Sequence, residues 1–310
     1  MNSPVRFLLP LAAALVFGRP ALAAQTSFAS PQAAVDALIS AVQAQDKPAL
    51  LGIFGPGGEA VISSGDKVSD AAEGKAFTDA YAQSHSLAQQ PDGSEILIIG
   101  DNDWPFPIPL EQMKGKWQFD TEAGAQEILD RRIGRDELLT IQTLLAGVAA
   151  EQDYFNRVQR GTGTGTGAYA AKMVSTPGQE DGLYWDAGPG APESPLGPLI
   201  ATAVSQGYPG ASVQNGHQVP YHGYYFRILK GQGPDAPGGA RDYLQDGKLT
   251  VGFGILAWPA KYGNSGIMTF VVDQDGIVFQ KDLGADTAVL AADIALFNPD
   301  TSWARIDLSH

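Results

Sequence analysis

Between residues 138 and 155 the apolar side chains Leu138, Ile141, Leu145, Val148 and Phe155 recur at helical spacing, so one long helix carries a single apolar stripe. A stripe of that length has to be covered by another layer. The rest of the chain supplies strands for it. Gly223 to Leu229, Leu249 to Trp258, Gly266 to Asp273 and Ile277 to Lys281 are apolar runs separated by turn residues. Asp273-Gln274-Asp275-Gly276 reads as a hairpin turn in which Gly276 takes positive φ. The helical pattern runs from Asp120, a cap candidate, to about Arg157, and Gly134 is expected to divide it.

Upstream the signals repeat on a smaller scale. Ser30 caps and Pro31 opens a helix with Val35, Leu38, Ile39 and Val42 on one face. Asp46 caps a second, which carries Ala49, Leu50, Ile53 and Phe54 and stops at Gly55-Pro56-Gly57-Gly58. A third is expected to begin at Asp70, with Glu73 at capping-box spacing and Phe77 and Tyr81 turned inward. Strands follow at Ile96 to Ile99 and at Gly115 to Phe119. The expected class is α+β: N-terminal helices on a curved antiparallel sheet, then a long helix packed on a C-terminal antiparallel sheet. The expected domains are 25–120 and 121–310, with an ordered Gly/Pro-rich excursion at about 161–220. Its Gly161 to Gly167 Gly-Thr tract is expected to be mobile.

Residues 1–24 read as a secretory signal peptide: Arg6, an apolar run from Phe7 to Phe17, then Ala21-Leu22-Ala23-Ala24 with cleavage near Ala23 or Ala24. That run is too short for a membrane span, and no transmembrane anchor is expected. A periplasmic or secreted location follows. The chain has no cysteine, so no disulfide or thiolate site is available and stability rests on core burial. A formal net charge of −14 with scattered basic residues makes nucleic acid a poor partner.

Several strings stand out: Asp103 to Pro109 (DWPFPIP), Arg131 to Gly134 (RRIG), Ser175 to Gly178 (STPG), Asp181 to Trp185 (DGLYW), Ser194 to Pro198 (SPLGP), Tyr221 to Phe226 (YHGYYF) and Tyr262 to Gly266 (YGNSG). In this order they resemble a family of exported bacterial proteins catalogued as domain of unknown function 2950. The opening helices, Asp46 and the strand ending in Trp117-Gln118-Phe119-Asp120 are similar to nuclear-transport-factor-2-like (NTF2-like) domains, which implies a cone-shaped binding fold. The helix from Leu138 to Phe155 and the sheet with Tyr224-Tyr225-Phe226 and Tyr262 to Phe270 resemble the globular region of type IV pilin-like proteins. Polymerisation is not implied, because no apolar assembly helix precedes Leu138.

His222, beside Tyr221, Tyr224 and Tyr225, is the sole catalytic candidate, as a general base if a carboxylate orients it. His85, His217 and His310 have no metal-ligand spacing with it, and no metal or cofactor is expected. No serine stands in a nucleophile elbow and no Gly-rich stretch has nucleotide-binding spacing. Asp101-Asn102-Asp103 and Asp273 to Gly276 offer close oxygens but lack an EF-hand continuation, so both read as turns. The prolines around Trp104 and Phe106 fix an extended edge or connector, whose two rings either pack on the seam between the domains or present a recognition surface. The preferred reading is a non-catalytic binding or structural protein of the bacterial cell envelope, contacting an envelope protein or polymer through Trp104, Phe106, Tyr221, His222 and Tyr224. The competing reading is an acid/base hydrolase of an envelope polymer, using His222 or paired carboxylates such as Asp101 and Asp103.

Overall fold

The computed structural model describes residues 25–162, 167–188, 190–208, 213–214 and 217–308. Residues 1–24, expected from the sequence to be a signal peptide, residues 163–166 of the Gly-Thr tract and His310 lie outside them. The class is α+β, with helices over one antiparallel sheet and a long helix against a second, C-terminal one.

Helix α1 (Pro31–Gln43) starts where Ser30 Oγ accepts Ala33 N and Pro31 sets the first turn. Helix α2 (Lys47–Phe54) is capped by Asp46 and ends at Gly55, as the sequence leads one to expect. A short α3 (Gly58–Ile62) then follows inside the glycine stretch, where no helix was expected. Helix α4 (Lys67–Gln83) begins earlier than expected, because Asp66 rather than Asp70 accepts its first free amides. Asp70 turns back instead to accept Ser64 N and Oγ, and Glu73 closes no capping box.

Strands β1 (His85–Gln89), β2 (Glu95–Ile99), β3 (Trp104–Pro105), β4 (Leu110–Met113) and β5 (Lys116–Phe119) form the first sheet, antiparallel throughout. Its core joins Leu38, Phe54, Leu97, Ile108, Leu110 and Phe119.

Helix α5 (Thr121–Thr162) is a single element of 42 residues, about 63 Å long at 1.5 Å per residue. Gly134 does not break it. A glycine in a helix costs about 1 kcal/mol relative to alanine, and Arg132, Ile133 and Asp136, all buried, anchor the turns on either side. Ala125 and Ile128 of its first turns pack on the first core, and Leu144 is fully buried in the second.

The second sheet runs in the order β10 (Ala304–Arg305), β9 (Val278–Asp282), β8 (Met268–Asp273), β7 (Gly254–Pro259), β6 (Tyr224–Leu229), all antiparallel. The expected strands are thus present, and β10 was not foreseen. Asp273 Oδ1 accepts Asp275 N and Ile277 N, and Gly276 has φ +74°, which makes the hairpin. One face of this sheet meets α5 through Ile255, Phe270 and Val272. The other is covered by Ala291 of α7 (Thr287–Asp293) and by Phe297.

The expected stripe on α5 is present at Ile141, Leu145 and Val148, which are half-buried against the second core, and at Phe155, which packs on Tyr169, but it fails at Leu138. Leu138 is 64 % exposed, whereas the deepest positions are Asp136, Thr140, Leu144 and Glu151. Gly147 allows the helix to approach closely, since a Cβ there would lie 2.8 Å from Ile255 Cδ1. The 161–220 excursion contains α6 (Gly197–Ser205), with proline in its first turn.

Candidate functional site

Tyr221-His222-Gly223-Tyr224 is a two-residue hairpin turn. Tyr221 and Tyr224 exchange backbone hydrogen bonds of 2.9 and 3.1 Å, and His222 and Gly223 have φ of +48° and +75°. Two positive φ values define the turn type that asks for glycine at the second position. A Cβ on Gly223 would also stand 2.7 Å from Ser265 Cβ.

The turn is tied to α4 through one carboxylate. Asp66, 2 % exposed, caps α4 with Oδ1, while its Oδ2 accepts Tyr208 Oη at 2.7 Å and Gly223 N at 3.1 Å. His222 N in turn donates to Tyr208 Oη. Burial, with the negative Asp66 beside it, pushes the Tyr208 phenol far up, so it stays a protonated donor. Burial pushes His222 below its ordinary value, and the Asp66 charge opposes this only in part. A general base of the triad kind needs a carboxylate on its ring. Here the Asp66 oxygens are engaged by Tyr208, by Gly223 and by the cap.

Around this node α5 is tied to α3 and to the loop that precedes β8. Arg132, 4 % exposed, donates to Ala60 O, Val61 O and Asn264 Oδ1. Asn264 returns a bond to Ala60 O. Asp136, beside the turn, has its carboxyl pushed up to about 7 by burial, against the pull of Arg135. Gly266 is required sterically, since a Cβ there would overlap the Tyr224 hydroxyl at 1.9 Å. The RRIG, YHGYYF and YGNSG strings therefore meet at one seam. The STPG and DGLYW strings meet nearby: Asp181, held down to about 2 by Lys172 and by Thr176, closes that loop.

Next to the seam lies a cavity of about 400 Å³ with predominantly apolar walls. Met173, Tyr184, Leu196, Ala203, Tyr221 and Phe226 are among its lining residues. It sits beside β6, an edge strand of the second sheet. Of the residues expected to bind, Tyr221 lines it and His222 stands behind it in contact with Tyr208, which also lines it. Tyr224 does not reach it. Its ring is fully buried in the second core and its hydroxyl donates to Met268 O, so the expectation of a contact there is corrected. Trp104 and Phe106 are elsewhere, on the first sheet. Phe106 is 6 % exposed and packs on Phe54, Phe77 and Phe119, so it is core and not an open recognition surface. Trp104 is half-buried beneath the Arg131 guanidinium. Asp101 and Asp103 are exposed on a turn and do not line this cavity.

Met173, Leu199, Ile200, Ala203 and Tyr208 were missed as lining residues. The one available signal was Pro198 after Leu196-Gly197, a helix start inside a stretch taken as irregular. Among the described residues no three His, Asp or Glu side chains converge in a way that could hold a metal ion. No helix among them is long and apolar enough to cross a membrane.

Fold and site together define an α+β protein in which one long helix backs two antiparallel sheets and a buried polar node joins them beside an apolar cavity. The chain belongs to the family described as protein of unknown function (DUF2950), whose model matches residues 25–306. No curated protein and no solved structure matches it.

Proposed function

We propose that this is an exported, non-catalytic binding protein of the cell envelope that holds an apolar ligand group in the cavity between β6 and α6. The observation that carries the reading is the cavity itself. Its volume of about 400 Å³ and its aromatic and aliphatic walls fall within the range of small-molecule sites. The polar groups beside it, Asp66, Tyr208 and the His222 amide, are paired with one another. They support the wall and do not act as an acid/base set.

The test uses N-phenylnaphthylamine, a neutral fluorophore that brightens in apolar surroundings. Saturable binding to the wild type is expected. Leu199→Trp, which fills the cavity from α6, should weaken it about tenfold or more, the equivalent of roughly 1.4 kcal/mol. The melting temperature should remain unchanged. Equal binding by the filled variant would overturn the reading. The envelope assignment rests on the leader and has its own check. Mass spectrometry of protein recovered outside the cytoplasm should find a chain starting at Ala24 or Gln25, and a retained Met1 would remove the assignment.

A further inference from the structure

Beneath α4 lies a second space, separate from the cavity beside β6. It is a cleft of about 1370 Å³ whose floor includes Leu38, Phe77, Ile99, Trp104 and Phe106. Its wall on α5 carries Arg131, Arg132 and Arg135. In a chain with a net charge of −14, the acids lining this cleft among the described residues are Asp70 and Glu73, both on α4.

Glu73 occupies the arginine wall incompletely. Its Oε1 accepts Arg135 Nη2 at 2.5 Å and Ser69 Oγ at 3.1 Å, while Oε2 stays 4.0 Å from Arg132 Nε. That is beyond hydrogen-bonding range. Arg132 is 4 % exposed, its two terminal nitrogens are engaged by carbonyls and Asn264, and its Nε–H has no acceptor. A buried charged donor without a partner is costly, and a second anionic oxygen at this point would satisfy it. The helix that brings Glu73 there lies at the surface. None of the 17 residues of α4 is buried, and it is attached by the Asp66 cap, by Asp70 accepting from Ser64, by Ala80 O accepting Gly100 N, by Glu73–Arg135 and by half-buried contacts such as Phe77 and Tyr81.

We propose that the cleft is a binding site for an amphipathic anion, an apolar body ending in a carboxylate or phosphate. In this arrangement Glu73 is the internal stand-in for the anionic head. The apolar body lies on the half-buried Phe77 and Trp104. The head displaces Glu73 from Arg135 and supplies the acceptor that Arg132 Nε lacks, and α4 loosens as its ion pair is exchanged. The acidic protein as a whole repels anions, so a cationic wall set in an apolar cleft favours a ligand that offers both characters at once.

The experiment uses the full chain carrying Leu199→Trp, which closes the other cavity, and a matched pair of fluorophores. Anilinonaphthalene sulfonate and N-phenylnaphthylamine share an aromatic body and differ by the anionic group. The sulfonate is expected to bind. Glu73→Gln should tighten it about tenfold and Arg135→Gln should weaken it about tenfold, the size of one charge-assisted hydrogen bond. The neutral fluorophore should respond to neither change. Dodecanoate and dodecyl phosphate should displace the sulfonate, the stronger of the two identifying the head group, and inorganic phosphate should not. Amide exchange across Lys67–Gln83 should quicken when the sulfonate binds. Unchanged sulfonate affinity in both variants overturns the proposal, as does an equal shift for the neutral body or displacement by inorganic phosphate alone. If Arg135→Gln fails to fold, Glu73→Gln decides, because it removes a part-exposed carboxylate. Failure here leaves the cavity reading untouched, since that rests on the neutral probe and Leu199.

Discussion

Leu144→Ala is expected to lower the unfolding free energy by about 2 to 5 kcal/mol, the range for emptying a fully buried leucine site. Leu144 has no exposed surface and packs with Tyr224, Phe253, Ile255 and Phe270, so little can move in to fill the space. Leu138→Ala on the same helix is the control. At 64 % exposure it should change stability by no more than about half a kcal/mol. Urea unfolding of the two variants checks both values. Similar losses at the two positions would mean that the helix is rotated about its axis from the orientation described.

Glu151→Gln should make the protein more stable above neutral pH and nearly unchanged near pH 4. Glu151 is fully buried, and one oxygen accepts Ala170 N while the other has no partner. Burial pushes its carboxyl from 4.5 up to about 8. The folded chain therefore holds a proton that the unfolded chain has released across that interval. Its contribution to stability is fully present below about pH 4.5 and is lost as pH rises to about 8, at up to about 1.4 kcal/mol per pH unit. Asp136, pushed up to about 7, adds a smaller loss of the same sign. Glutamine retains the acceptor for Ala170 N and cannot ionise. Unfolding curves from pH 4 to pH 9 should fall steeply for the wild type and less for the variant. Parallel curves would show that Glu151 ionises in the folded state without penalty.

These two residues also show where the sequence was legible. Helix starts at Ser30 and Asp46, the Asp273 to Gly276 hairpin and the four main strands of the second sheet depend on neighbours in sequence, and their signals were read correctly. On α5 the apolar signal located Ile141, Leu145 and Val148 on the second core, but it missed the deepest line beside them, because Asp136, Thr140, Gly147 and Glu151, which are polar or small, occupy it. Hydrophobic periodicity cannot detect a buried carboxylate. The start of α4 was misplaced for a related reason: Asp66 and Asp70 are both good caps, and only the distant partners Tyr208 and Gly223 select the first. The cavity was hidden because Met173, Leu199, Tyr221 and Phe226 converge from separate parts of the chain. His222 was singled out for its chemistry, yet its place in the turn follows from a backbone conformation that few residues other than glycine tolerate.

The length of α5 has a consequence for how the molecule comes apart. Ala125 and Ile128 close the first core, Leu144 closes the second, and Arg132 lies between them, bonded to carbonyls of α3 and to Asn264. A rod gripped at both ends in this way transmits disorder. Fraying of its first turns opens the N-terminal core, and loss of its middle uncovers the second sheet. Each half keeps a core of its own, but both share this helix, so a lesion in the helix reaches the two cores at once.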